Sequence, residues 1–161
     1  MQRNAGFTLI ELLVTLAVAI IIMTIAVPGF QGLMSSSRLA SDYNEILSGL
    51  NLARSEAIKR RENVSFEITS ASPWALSVYR TEDGNSDGSA LRVRKKTDAR
   101  ITVSGDSIVV FGPLGKTVDI DGNNCDGSCS IDITHSAGEC KVIQISSFGR
   151  VSRGGECSND A

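Results

Sequence analysis

Of 161 residues, 16 are basic and 18 acidic, a balance that excludes a protein clothed in positive charge for coating nucleic acid. The 42 % of hydrophobic residues are unevenly spread, with a very apolar N-terminus ahead of an ordinary soluble remainder. That remainder, about 130 residues, suffices for one domain with its own core and not comfortably for two.

The chain begins with Met1-Gln2-Arg3-Asn4-Ala5-Gly6, polar apart from its small residues and carrying one positive charge. From Phe7 to Val27 it reads FTLIELLVTLAVAIIIMTIAV, long enough to cross a hydrocarbon core of about 30 Å as a helix. A secretory signal would have a shorter apolar run followed by a small-residue cleavage site. Here the small residue, Gly6, comes first, so a cut there would keep the helix. A plain membrane anchor accounts for the span but not for Glu11, whose carboxylate costs roughly 2.5 to 3.5 kcal/mol within a membrane. A carboxylate at that depth calls for a cationic partner.

Gly6-Phe7-Thr8-Leu9-Ile10-Glu11, followed by an apolar helix and Pro28, resembles the class III leader and first helix of type IV pilins and type II secretion pseudopilins. The resemblance implies that a prepilin peptidase cuts after Gly6 and methylates the new N-terminus at Phe7. It also implies that Glu11 pairs with the terminal amine of a neighbouring subunit during assembly.

Pro28 and Gly29 are expected to interrupt the helix, since a proline removes one backbone hydrogen bond. The helical pattern then resumes. Leu39, Tyr43, Ile46, Leu50, Ala53 and Ala57 recur at alternating steps of four and three, with Ala40 and Leu47 widening the stripe. Arg38, Asp42, Glu45, Arg54 and Glu56 occupy other faces. The stripe is expected to pack on a core, Ala53 and Ala57 letting a sheet come close, and the cations Lys59, Arg60 and Arg61 suit a helix C-terminus. From Phe7 to about Arg61 the helix would measure about 80 Å.

After Asn63 the period becomes alternating. Val64 to Thr69, Trp74 to Arg80, Ala90 to Lys95, Ile101 to Ser104, Ile108 to Phe111, Ile131 to Thr134 and Val142 to Ser146 read as short strands separated by turn residues. The expected fold is α+β, a long N-terminal helix packed against antiparallel sheet, with Phe66, Trp74, Leu76, Val78, Leu91, Val93, Val110 and Ile143 in the core. Three parts follow: a leader at 1–6, a transmembrane or filament-core helix at 7–30, and a domain at 31–161. The domain comprises an amphipathic helix over about 31–61 and a β region over about 63–157.

Leu52-Ala53-Arg54-Ser55-Glu56-Ala57-Ile58-Lys59-Arg60, Trp74, Phe111-Gly112-Pro113-Leu114-Gly115 and Ser147-Phe148-Gly149-Arg150-Val151 together are similar to the GspH/FimT-type minor pilins and pseudopilins. That resemblance implies a helix on two small sheets, and a low-abundance subunit that starts or caps a filament. Arg54 and Glu56 are expected mainly to serve helix surface and helix-to-sheet packing, with contacts between subunits as the other reading.

The four cysteines, Cys125, Cys129, Cys140 and Cys157, all lie in the last quarter. In the oxidising periplasm that the resemblance implies, an even count favours disulfides. Of three connectivities, Cys125 with Cys129 and Cys140 with Cys157 is preferred, the second contributing on the order of 3 kcal/mol. A zinc site would want paired C-x2-C knuckles, which the spacing lacks.

Asp83-Gly84-Asn85-Ser86-Asp87-Gly88 matches the first half of a calcium loop, but Arg94 stands where a bidentate glutamate belongs. Asp119, Asp121 and Asn123 begin similarly, with Asn124 in place of the glycine. Both are read as turns, and no metal or other cofactor is expected. His135, the one histidine, stands without a catalytic constellation, and Gly112 to Gly115 lacks the lysine and setting of a phosphate loop. No enzyme activity or small-molecule substrate is expected.

Two basic clusters remain: Arg92, Arg94, Lys95, Lys96 and Arg100 in one run, and Arg150 with Arg153 in a glycine-flanked segment. Either could neutralise DNA phosphates. The second resembles the arginine-bearing tail through which some members of the subgroup bind DNA, one residue looser in spacing. A solvated face or a salt-bridged contact is the preferred reading of both.

The expected protein is a minor pilin held in the bacterial inner membrane by one span, its C-terminal domain periplasmic, until it joins a pilus or pseudopilus. Its expected partners are other pilins, the prepilin peptidase, the inner-membrane assembly platform and membrane lipid. A type II secretion pseudopilin and a DNA-binding receptor at a pilus tip are the alternatives.

Overall fold

The computed structural model describes residues 7–83, 90–119, 128–155 and 157. The chain divides into two compact units, Met1–Ser36 and Ser37–Ala161. Helix α1, Leu9–Arg60, supplies residues 9–36 to the first and 37–60 to the second.

In the first unit the helix is assigned without a break through Pro28 and Gly29, contrary to the expected interruption. A proline deletes one hydrogen bond of the ladder but leaves the bonds of the flanking turns in place. Thr8 caps the start, its Oγ1 accepting the Glu11 N–H at 3.3 Å, with a backbone bond from Leu12 N–H to the Thr8 carbonyl at 3.2 Å.

In the second unit the stripe is buried as its spacing predicts. Leu39, Ile46, Leu50, Ala53 and Ala57 are buried, and Tyr43 and Leu47 are half-buried against them. Gly49 lies on the same face, where a Cβ would approach Phe66 to 3.0 Å and Leu76 to 3.5 Å. Gly49 therefore joins the alanines in letting the sheet close on the helix. The helix ends where Arg61 takes a positive φ of 59°, with Lys59 and Arg60 in the last turn against the dipole.

All seven expected strands form, as β1 Val64–Ala71, β2 Trp74–Arg80, β3 Arg92–Lys95, β4 Ile101–Gly105, β5 Ile108–Phe111, β6 Ser128–His135 and β7 Cys140–Ser146. An eighth, β8 Val151–Arg153, was not expected. They make two four-stranded antiparallel sheets, ordered β3-β2-β1-β5 and β4-β6-β7-β8. One cluster from α1 and both sheets forms the core, with Trp74, Phe66 and Phe111 its largest fully buried side chains. Each buried side chain of that kind contributes about 1.5–3 kcal/mol.

One of the expected core residues lies elsewhere. Val93 is exposed, because in edge strand β3 it is Arg92 and Arg94 that pair with the inward-facing Val78 and Leu76. Leu91, just before that strand, is half-buried and packs against the core cluster. Ile101, Val103, Ile131, Ile133 and Ile145 of the second sheet carry the core as well.

Candidate functional site

In the first unit every large apolar side chain from Phe7 to Met34 is exposed, Ile25 to 75 %. It lies within the helix that, among the described residues, is long and apolar enough to cross a membrane. An apolar medium tolerates a polar group only if it is bonded, and the hydroxyls here bond within the helix. Thr15 Oγ1 donates to the Leu12 carbonyl at 2.9 Å and Thr24 Oγ1 to the Ile21 carbonyl at 2.7 Å. Glu11 is the acidic residue of the first turn. With Thr8 as N-cap it takes the third helical position of a T-x-x-E pattern, where negative charge meets the positive end of the helix dipole. That capping signal stood in the sequence and was missed there. Gly6 lies outside the described residues, and Phe7 is exposed.

The first basic run turns onto α1. Arg94 Nε meets Glu45 Oε1 at 3.2 Å, and Lys96 Nζ reaches Glu45 Oε2 at 2.9 Å and Asp42 Oδ1 at 3.0 Å. Arg92 donates from Nη1 to Ser48 Oγ at 2.9 Å. Asp42 also accepts from Trp74 Nε1 at 3.1 Å, and the Lys96 ammonium sits 5.5 Å from the Trp74 ring centre. Glu45, ahead of Asp42, raises the Lys96 pKa against the opposing effect of burial. Arg100 and Arg38 converge on Asp98 at 2.6 and 3.5 Å, and the Arg100 bonds pull its carboxyl down to about 2. Only Lys95 of the run stays exposed without an ion-pair partner among the described residues. This run ties an edge strand to a helix and offers a phosphate backbone little free charge.

Arg150 and Arg153 differ. Both are exposed, and among the described residues neither side chain has an ion-pair partner. Arg150 closes the turn between β7 and β8, where its carbonyl accepts the Ser146 N–H at 3.0 Å. Arg153 ends β8, paired in register with Ile143.

Arg54 has a structural task. Its Nε donates to the Gly115 carbonyl at 3.1 Å, in the loop after β5. Gly149 of the β7–β8 turn lies against that same carbonyl, leaving no room for a Cβ, and both glycines have φ of 71°. Thr117 secures the junction by donating from N and from Oγ1 to the Ser147 carbonyl at 3.2 and 3.1 Å. Three segments distant in sequence thus meet at one hub: the helix around Arg54, the loop at Gly112–Thr117 and the turn at Ser147–Arg150. Glu56 binds Lys59 and Arg60 on the helix surface, which lowers its pKa, Arg60 first.

Cys140 and Cys157 form the expected disulfide, tying the segment beyond β8 to the start of β7. Cys129 is buried in β6, and its expected pairing with Cys125 lies outside the described residues. So do residues 84–89 and 120–127, which carry most of both calcium-like loops. His135 is buried and its Nδ1 accepts the Ala137 N–H at 3.0 Å. It lines a cavity of about 190 Å³ with Asp42 and Asp98, the two carboxylates that the cations above already engage.

Residues 42–149 match the family model described as type II transport protein GspH, and residues 1–27 match the prokaryotic N-terminal methylation motif. Fimbrial protein EcpC of Eikenella corrodens is 29 % identical over 137 residues, which span 84 % of this chain and 86 % of that protein. Crystal structures of the type IV minor pilin FimU of Pseudomonas aeruginosa are similar in fold. One matches with a TM-score of 0.61 at 21 % identity, covering 74 % of this chain and 90 % of the crystallised chain. A second crystal form matches at 0.59, covering 73 and 93 %.

Proposed function

This chain belongs to the GspH family of type IV minor pilins and pseudopilins, and from that premise we propose that it is a minor pilin that helps to start or cap a type IV pilus. The observation that carries the reading is an apolar helix exposed on every side, opening on a capped Glu11 and joined to a domain with a complete core of its own. Such a helix needs an apolar environment, which the membrane supplies before assembly and a filament core would supply after it. A prepilin peptidase cuts after Gly6, the helix waits in the inner membrane with the domain in the periplasm, and the assembly platform transfers it to the filament. Glu11 accepts the terminal amine of a neighbouring pilin in that step, a pairing that offsets the desolvation of both charges.

The likeness to EcpC, a fimbrial protein, supports the pilus reading, while the description of the matching family model as a type II transport protein keeps the pseudopilus as the alternative. Glu11→Ala should leave the domain folded by circular dichroism while the chain disappears from sheared filaments. Unchanged incorporation would remove the proposed role of Glu11. Detection of the chain in a secretion complex and not in pili would favour the pseudopilin reading.

The exposed guanidinium groups of Arg150 and Arg153, without an ion-pair partner among the described residues, support a second reading, a DNA receptor at the pilus tip. It predicts salt-sensitive binding of a DNA duplex that is lost in the Arg150→Ala, Arg153→Ala double variant. Full retention in that variant would eliminate this site.

A further inference from the structure

A folded domain ordinarily scatters its exposed apolar residues. Within residues 37–161 the large apolar side chains exposed among the described residues are Ile58, Val93, Leu114, Val118 and Phe148. All but Val93 gather at the Arg54–Gly115–Gly149 hub. Ile58 lies against Gly115, Val118 against Gly112, and Leu114 stands between those two glycines in the chain, 82 % exposed. Phe148 is 69 % exposed and carries the Lys116 ammonium 5.4 Å from its ring centre.

The backbone under this patch is held in place. Arg54 fixes the Gly115 carbonyl, Thr117 fixes the Ser147 carbonyl, and the Gly112 N–H is bonded to the Lys116 carbonyl at 2.9 Å. A surface pre-ordered in this way loses little entropy when a partner arrives. Lys116 and Arg150 are exposed cations beside it, against one exposed carboxylate among the described residues, Asp119 next to Val118, so the balance of charge is positive.

We propose that Ile58, Leu114, Val118 and Phe148 form a docking surface for a neighbouring pilin-type subunit, which presents an apolar segment bordered by carboxylates to Lys116 and Arg150. The proposal rests on the pilin reading above and names the face of the domain that makes the contact. A protein partner fits better than a nucleic acid because three aliphatic side chains lie around the one aromatic. Single strands are held by stacking on aromatic rings over a cationic groove, whereas protein interfaces bury an apolar centre within a polar rim. The carboxylates follow from charge complementarity, which selects the partner and speeds its approach.

The test uses the full chain in cells that assemble the filament, with a photoactivatable benzophenone amino acid at position 114 and, as a control, at the exposed Thr102 of β4. The expected result is a crosslink from position 114 to another pilin-type subunit, mapped to an apolar stretch beside Asp or Glu. It should be absent from position 102 and lost when Lys116→Glu and Arg150→Glu are added. A crosslink to DNA or lipid, or one that survives charge reversal, would overturn the proposal. So would the lack of any subunit crosslink while the chain is present in sheared filaments, an outcome that leaves the pilin reading intact. Absence of the unmodified chain from filaments would overturn both.

Discussion

Residues 9–36 and 37–60 belong to one helix, yet they solve opposite problems. The first stretch turns apolar side chains outward on all sides and meets its polar needs internally, through Thr8, Thr15 and Thr24. The second, apart from the exposed Ile58, gathers its large apolar residues in a stripe and covers that stripe with two sheets, leaving Asp42, Glu45 and Arg54 to bind neighbouring segments. The same secondary structure therefore serves two different surroundings, and the distribution of side chains around the axis decides which.

Matched substitutions should separate the two. Leu50 is fully buried, so Leu50→Ala should destabilise the domain by about 2–5 kcal/mol and lower its melting midpoint by roughly 10–20 °C in detergent solution. Leu16 is 52 % exposed, and Leu16→Ala should leave that midpoint within about 2 °C, a change of less than about 0.5 kcal/mol. Equal shifts would mean that the first stretch has a folding partner within the chain.

An effect in the range of the Leu50→Ala change is expected at the disulfide, which closes a separation of 17 residues. Cys140→Ser should cost about 3 kcal/mol, measured as a lower urea midpoint of the domain. Helicity of the first stretch in detergent should be unaffected.

The smallest effect concerns Asp98. Its carboxyl is lowered from 3.8 to about 2 by Arg100, so the folded state binds its proton less readily than the unfolded chain. The resulting stability is present above pH 4 and lost as pH falls through about 2. Because the group is exposed the effect should be slight, seen as a steeper fall in urea midpoint between pH 4 and pH 2 than in Arg100→Ala. Identical pH profiles would show that the pair does not bear on folding.

Much of this was legible in the sequence because it is local. Hydrophobic spacing located the stripe from Leu39 to Ala57 and all seven strands expected from alternation, and the composition of Phe7 to Val27 marked the exposed helix. Pairing between distant segments was not legible. β1 pairs with β5 across three intervening strands, and nothing near Val64 or Ile108 announces it. Edge position decided the fate of β3, where alternation alone cannot tell that Arg92 and Arg94 face a helix rather than solvent. β8 escaped notice because three residues between glycine-rich flanks read as a basic loop, while its partner Ile145 lies on a strand already assigned. The hub was hidden for the same reason, since Gly115 and Gly149 look like ordinary turn residues until Arg54 is seen between them.

The hydroxyls of Thr15 and Thr24 point to a property of transfer rather than of packing. Each is bonded to a carbonyl three residues back, so neither would have to trade a hydrogen bond when the helix changes surroundings. Moving such a rod from acyl chains to apolar side chains exchanges one set of dispersion contacts for another of similar strength. Under the proposed function, the free energy giving such a transfer its direction would come from the ends of the rod, from Glu11 on one side and the folded domain on the other.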